Sequence, residues 1–244
     1  MNTILFDLDG TLLPMDMDIF EKEYFKRLCF KLKNFLPPEH TVKFVLDATF
    51  DMIRNSDFNR TNKQVFMEKF TEYSKIKYEV VESIIDDFYK NEYKTIGEYF
   101  KPQEYIIKAI EILRQKGYDL VVATNAIFPK EAIIERLRWA GLDERDFIFI
   151  TSFEVMHYCK PNIKYYEEIL GIINKKPQEC LMVGNDVEED LIASKIGVKT
   201  FLIKDNILNK KNIKYFADFE GNYMDFYNFV MNLPYVVKDK EKGA

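Results

Sequence analysis

Hydrophobic positions along this chain change period twice. The opening run Ile4-Leu5-Phe6 is continuous and of strand length, and it breaks into Asp7-Leu8-Asp9-Gly10-Thr11-Leu12. Across residues 15–100 the strand signal disappears and apolar residues recur at helical spacing. Ile19, Tyr24, Phe25, Leu28 and Leu32 make one stripe, which Pro37-Pro38 should end. Further stripes cover 42–53, 65–73 and 80–93, and no glycine stands between Gly10 and Gly97. This stretch reads as an all-helical insertion.

Beyond residue 100 the two periods alternate. A helix over 102–116 stops at Gly117 and is followed by a strand over 120–123. A helix over 129–140 precedes a strand over 147–150, and a third over 162–174 precedes a strand over 180–183. A short helix over 187–196 leads to a strand over 199–203. A last helix is expected over 223–233, and residues 238–244 read as a frayed end. Strand and helix in repeated alternation predict an α/β fold, a parallel sheet covered on both faces. The insertion separates the first strand from the others, so the sheet-forming domain is discontinuous, built from residues 1–14 and 101–244 around an inserted 15–100.

Composition narrows this picture modestly. The chain has 244 residues, 47% of them hydrophobic, enough for one large domain or a core plus an insertion. No segment is long and apolar enough to span a bilayer, and with apolar strand residues beginning at Thr3 a cleavable signal peptide is not expected. A formal charge of −5 with lysines interleaved among acids argues against a nucleic-acid surface. Cys29, Cys159 and Cys180 are odd in number, widely spaced and outside any metal-ligand pattern, which fits a reducing cytoplasm.

The chemistry gathers at strand ends. Asp7 and Asp9 stand two residues apart where side chains repeat every two, so both acids point the same way. Gly10 permits the turn that follows, and Thr11 adds a hydroxyl. The strand over 120–123 ends in Thr124-Asn125; that over 180–183 ends in Gly184-Asn185-Asp186, with Asp190 four residues on. Lys160-Pro161 lies between them. If the helix after Asp186 starts promptly, Asp186 and Asp190 fall on one face, a spacing suited to a metal ligand and its supporting residue. Asp7, Asp9 and Asp186 would otherwise repel, and a hard dication such as Mg²⁺ is the natural compensation. A hydroxyl, a lysine and backbone amides facing that cation would receive a phosphoryl group.

These four segments, in this order and on predicted strand ends, resemble the motifs of the haloacid dehalogenase-like hydrolase superfamily. The resemblance covers the whole sheet-forming part and implies a Rossmann-like core with an inserted helical cap. It implies Asp7 as the nucleophile that forms an aspartyl phosphate, and Asp9 as the acid and base for leaving group and water. Thr124 and Asn125 would hold phosphoryl oxygens, and Lys160 would offset charge on nucleophile and phosphate. Mg²⁺ would be held by Asp7, the Asp9 carbonyl and Asp186, with Asp190 in support. An Asp at position 9 favours phosphatases and phosphomutases over dehalogenases.

The expected activity is therefore hydrolysis of a small phosphorylated metabolite, in a monomer or homodimer, with no nucleic-acid or membrane partner. A phosphomutase of the same superfamily is the alternative, and a non-catalytic binding or regulatory protein a more distant one. A receiver-type signalling module would place its phosphorylated Asp on a later strand. Arg54 and Arg60, in a polar stretch of the insertion, either belong to a solvated loop or read the substrate's leaving group. Residues 14–18 are the expected hinge. Cys159 beside His157 is more simply a packing residue than a nucleophile.

Overall fold

The computed structural model describes residues 1–237, and the frayed end expected for 238–244 lies outside the described residues. Among the described residues are six strands: β1 (Thr3–Phe6), β2 (Asp119–Val122), β3 (Phe149–Ile150), β4 (Cys180–Gly184), β5 (Lys199–Ile203) and β6 (Phe219–Gly221). They form one sheet in the order β3-β2-β1-β4-β5-β6, parallel throughout. Phe6 is in register with both Val122 and Val183, so the three central strands end within one residue of one another. Asp7, Thr124 and Asn185 therefore leave the sheet within one residue of one another, at the carboxyl edge where open α/β sheets bind ligands.

Alternation along β1 divides the interior. Ile4 and Phe6 join one apolar cluster, while Leu5 joins Val121, Met182 and Tyr165 on the opposite face. The cluster on the Ile4 face continues without a break into the helices inserted after β1: α1 (Met17–Leu32), α2 (Pro38–Arg54), α3 (Asn62–Ser74) and α4 (Tyr78–Lys90). A 3-10 turn over Tyr93–Tyr99 then leads into α5 (Glu104–Gln115). The remaining helices, α6 (Lys130–Trp139), α7 (Ile163–Ile172) and α8 (Tyr223–Asn232), flank the sheet. This is the α/β architecture with a helical cap that the periodicity and the resemblance led us to expect.

Four details differ from expectation. Pro38 begins α2 rather than merely ending the previous helix, because a proline at the first helical position gives up an N–H that has no partner there. In α1 the buried stripe is Phe20, Tyr24, Leu28 and Leu32, and Ile19 is exposed. The segment expected as a helix over 187–196 is a turn followed by a 3-10 helix over Leu191–Ile196. Asp186 Oδ1 accepts the Glu188 and Glu189 amides at 2.7 and 2.8 Å and tightens that turn. Both sheet edges also depart: β3 has two residues in place of four, and β6 was not foreseen, since Phe219 and Glu220 are exposed and show no apolar alternation.

The first turn of α3 fastens the cap to the core. Thr61 caps the helix through a reciprocal box with Gln64. The backbone amides of Asn62 and Lys63 then donate to the carbonyls of Met156 and Phe153 at 2.8 and 2.6 Å. Asn62 is fully buried, and its side-chain amide donates to the carbonyls of Ala126 and Tyr158 at 3.1 and 3.3 Å. No described helix is long and apolar enough to cross a membrane, and the three cysteines are free.

Candidate active site

Asp7 follows β1 directly, and its amide continues the ladder by donating to the Val183 carbonyl at 2.9 Å. Its carboxylate meets Lys160 across the edge of the sheet: Nζ lies 2.9 Å from Asp7 Oδ1 and 2.6 Å from Asp190 Oδ1. Lys160 is wholly buried. Burial works against its charge, but Asp190 and Asp7 outweigh it and hold the ammonium well above its ordinary range. Burial also lifts the Asp190 carboxyl, against the pull of Lys160. The second Asp190 oxygen accepts the Asp186 amide at 2.9 Å, so one side chain supports both the lysine and the turn that carries Asp186.

Two glycines make this convergence possible. Gly10 has φ +89°, and a Cβ there would lie 2.3 Å from Asn185 Nδ2. At Gly184 a Cβ would fall 2.1 Å from Asp190 Oδ2. Thr11 Oγ1 donates to Asn185 Oδ1 at 3.0 Å, and Asn185 donates onward to the Asn206 carbonyl at 2.7 Å. The β1 and β4 loops are thereby locked together.

The β2 loop closes the third side. Thr124 is buried, and its carbonyl accepts the Tyr165 and Thr151 hydroxyls at 2.6 and 2.8 Å. The Asn125 side chain accepts the Lys160 amide at 3.1 Å and donates to both oxygens of Glu189, at 3.2 and 3.1 Å. Its amide group thus braces the lysine loop. Burial pushes Glu189 up to about 7, with Lys160 opposing.

Asp9 turns to a partner that the sequence reading missed. One oxygen is ion-paired with Nη1 of Arg136 from α6, a side chain only 1% exposed. The guanidinium carbon lies 4.3 Å from the centre of the Phe128 ring and 5.7 Å from that of Phe20. The other Asp9 oxygen, Arg136 Nη2 and the Tyr93 hydroxyl are buried without a hydrogen-bond partner among the described residues. Burial raises the Asp9 carboxyl although Arg136 pulls it down. The signal for Arg136 was present, since it stands in the buried stripe Ala132, Ile133, Leu137 and Ala140; its partner was not.

The structure brings together Asp7, Asp9, Thr124, Asn125, Lys160, Asp186 and Asp190, and it does not bring Arg54 or Arg60. Arg54 lies over Phe50 at 3.8 Å, and Arg60 pairs with Asp57 and Glu68 at 3.2 and 3.0 Å. Both are satisfied on the cap's own surface. Cys159 is buried beside Asn62, and burial pushes its thiol far up, as suits a packing residue. His157 holds Glu168 at 2.6 Å and meets the Phe58 ring of the cap at 4.6 Å, tilted by 32°.

Among the described residues, no three acidic, histidine or cysteine side chains cluster closely enough to hold a metal alone. The expected donors, the carboxylates of Asp7 and Asp186 and the Asp9 carbonyl, are all hard oxygens. Such a partial set suits Mg²⁺, which keeps several waters and takes substrate oxygens as further ligands.

The family model of haloacid dehalogenase-like hydrolases matches residues 1–196. Pyrophosphatase PpaX of Halalkalibacterium halodurans is 23% identical over 203 residues, covering 83% of each chain. The crystal structure of a HAD phosphatase from Thermococcus onnurineus superposes with a TM-score of 0.62 at 20% identity, covering 97% of this chain and 100% of that one. The magnesium-bound HAD-hydrolase YfnB of Bacillus subtilis gives 0.57 at 20% identity, over 94% and 98%. With most of its length matched, the chain belongs to the haloacid dehalogenase-like hydrolases.

Proposed function

We propose that the protein is a Mg²⁺-dependent phosphatase that moves a phosphoryl group from a small phosphorylated metabolite to Asp7 and then to water. The observation that carries this reading is the buried bridge Asp7–Lys160–Asp190 at the carboxyl edge of the sheet. It holds the Asp7 carboxylate beside a fixed positive charge, where a phosphoryl group needs a nucleophile and charge compensation together. We take residues 15–100 as the cap that covers this edge and residues 1–14 with 101–244 as the core. The free cysteines fit a reducing cytoplasm.

In the first step an Asp7 oxygen attacks phosphorus in line, the bond from phosphorus to the ester oxygen breaks, and that oxygen takes the proton of Asp9. In the second, water attacks the same phosphorus, Asp9 takes a proton from the water, and the bond to Asp7 breaks to release inorganic phosphate. Lys160 and the amides of the Thr124-Asn125 loop hold the phosphoryl oxygens throughout. Asp7, Asp186 and the Asp9 carbonyl would hold Mg²⁺, which supplies charge neutralisation on those oxygens. The names of the PpaX relatives and of YfnB bound to magnesium accord with metal-assisted phosphoryl chemistry.

The test is phosphate release from a panel of phosphorylated metabolites, with Mg²⁺ or with EDTA, for the native chain and Asp7→Asn. Release should require Mg²⁺ and fall by about a thousandfold or more in the variant. Undiminished release by Asp7→Asn would remove Asp7 from the nucleophile's role.

A further inference from the structure

Between the four cap helices and the core lies an apolar chamber of about 160 Å³. Phe20, Tyr24 and Leu28 of α1, Val45 of α2, Phe66 of α3 and Phe88 of α4 contribute to its wall. Ile127 and Phe128, three and four residues beyond Thr124, close its core side. Phe20 and Phe128 are also the rings that flank the Arg136 guanidinium paired with Asp9. Phe20 and Phe128 thus stand between the chamber and the Arg136–Asp9 pair, and the chamber lies on the side of the site to which the proposed mechanism sends the leaving group. Among the described residues its lining contains no lysine or arginine, and its one charged residue is Glu21. Arg136, the cation next to it, is already committed to Asp9, and Arg54 and Arg60 are held on the cap surface.

We propose that this chamber receives the leaving group and that the substrate is accordingly a phosphate monoester of a neutral, apolar alcohol about the size of one ring. The inference rests on the phosphatase reading above and goes beyond it. An apolar cavity of roughly 150 Å³ is large enough to hold benzene and stays dry when empty. A phosphate leaving group, as in pyrophosphate, would enter such a chamber as an anion facing Glu21 with no cation to meet it. The same holds for the second phosphoryl group that a bisphosphate-activated mutase must carry. Specificity here differs in kind from what the name of the PpaX relatives describes.

The deciding experiment compares kcat/KM for phenyl phosphate and pyrophosphate in the native chain, Val45→Phe and, at the half-exposed rim, Leu46→Trp. The second variant keeps the comparison open if the first does not fold. Phenyl phosphate should be preferred by about tenfold or more, and filling the chamber should reduce its kcat/KM by about tenfold, through KM. Toluene should raise the Tm of the native chain and not of a filled variant. Mg²⁺-dependent release that favours pyrophosphate, or filled variants with native KM for phenyl phosphate, would overturn the apolar leaving group while upholding the phosphatase. No release from any compound would overturn the phosphatase reading and this substrate with it. The toluene shift would then decide the chamber alone, and its absence would show that the chamber takes no apolar ligand.

Discussion

Arg136 and Asp9 show what single residues contribute here and how far each could be read beforehand. A guanidinium buried to 1% exposure is tolerable only with a carboxylate in contact, and Asp9 supplies one. Replacing Arg136 with Met leaves Asp9 buried without its counter-charge. The expected loss is about 3 kcal/mol in denaturant unfolding, with a fall in kcat as Asp9 loses its anchor, and Arg136→Lys should recover part of both. Stability within about 0.5 kcal/mol of native would mean that Asp9 finds another partner. Asp7, Asp9, Lys160 and Asp190 were legible because the chain order of their motifs is chemical information in itself. Arg136 was visible only as an arginine in an apolar stripe, and its partner lies 127 positions away.

At the scale of elements, the strand ends act as a bracket and α3 as a clamp. The ends of β1, β2 and β4, within one residue of one another, present three loops together, and through Asn62 the first turn of α3 holds the loop after β2 at Ala126 and the loop after β3 at Tyr158. Asn62→Ala would leave the Ala126 and Tyr158 carbonyls without this donor in a buried setting. A destabilisation of about 1–3 kcal/mol is expected, read from chemical denaturation, with faster proteolysis within the cap. Native stability and native cleavage would show that the backbone bonds of Asn62 and Lys63 suffice. The helices and central strands were legible from period alone, since their buried faces repeat every 3.6 or 2 residues. The edge strands β3 and β6 were not, because a short edge with one exposed face carries little of that pattern.

Across the whole molecule, cap and core share one apolar interior, so their stabilities are joined. The buried hydroxyls of Tyr24 and Tyr89 meet at 3.0 Å beside the chamber. Burial lifts the Tyr24 phenol to about 12, although its bond to Tyr89 pulls it down. In the unfolded chain tyrosine ionises near pH 10, so between about 10 and 12 the folded state holds the additional proton. Stability must then fall as pH rises through that window. From about pH 9 to about pH 11, Tyr24→Phe should lose about 1 kcal/mol less than the native chain in denaturant titrations. Equal losses would show that Tyr24 ionises in the folded state at its ordinary pKa.

The sequence by itself determined the class of fold, the place of the helical insertion and the acids, threonine and lysine at the strand ends. Each of these follows from local periodicity or from residue types whose chemistry is strong enough to be recognised in order. Only the tertiary structure decided that Arg136 faces Asp9, that Arg54 and Arg60 stay on the cap surface and that the chamber beside the site lacks a cation. These depend on which side chains from distant segments meet. Contact of that kind is set by packing, and a chain read along its length does not display it.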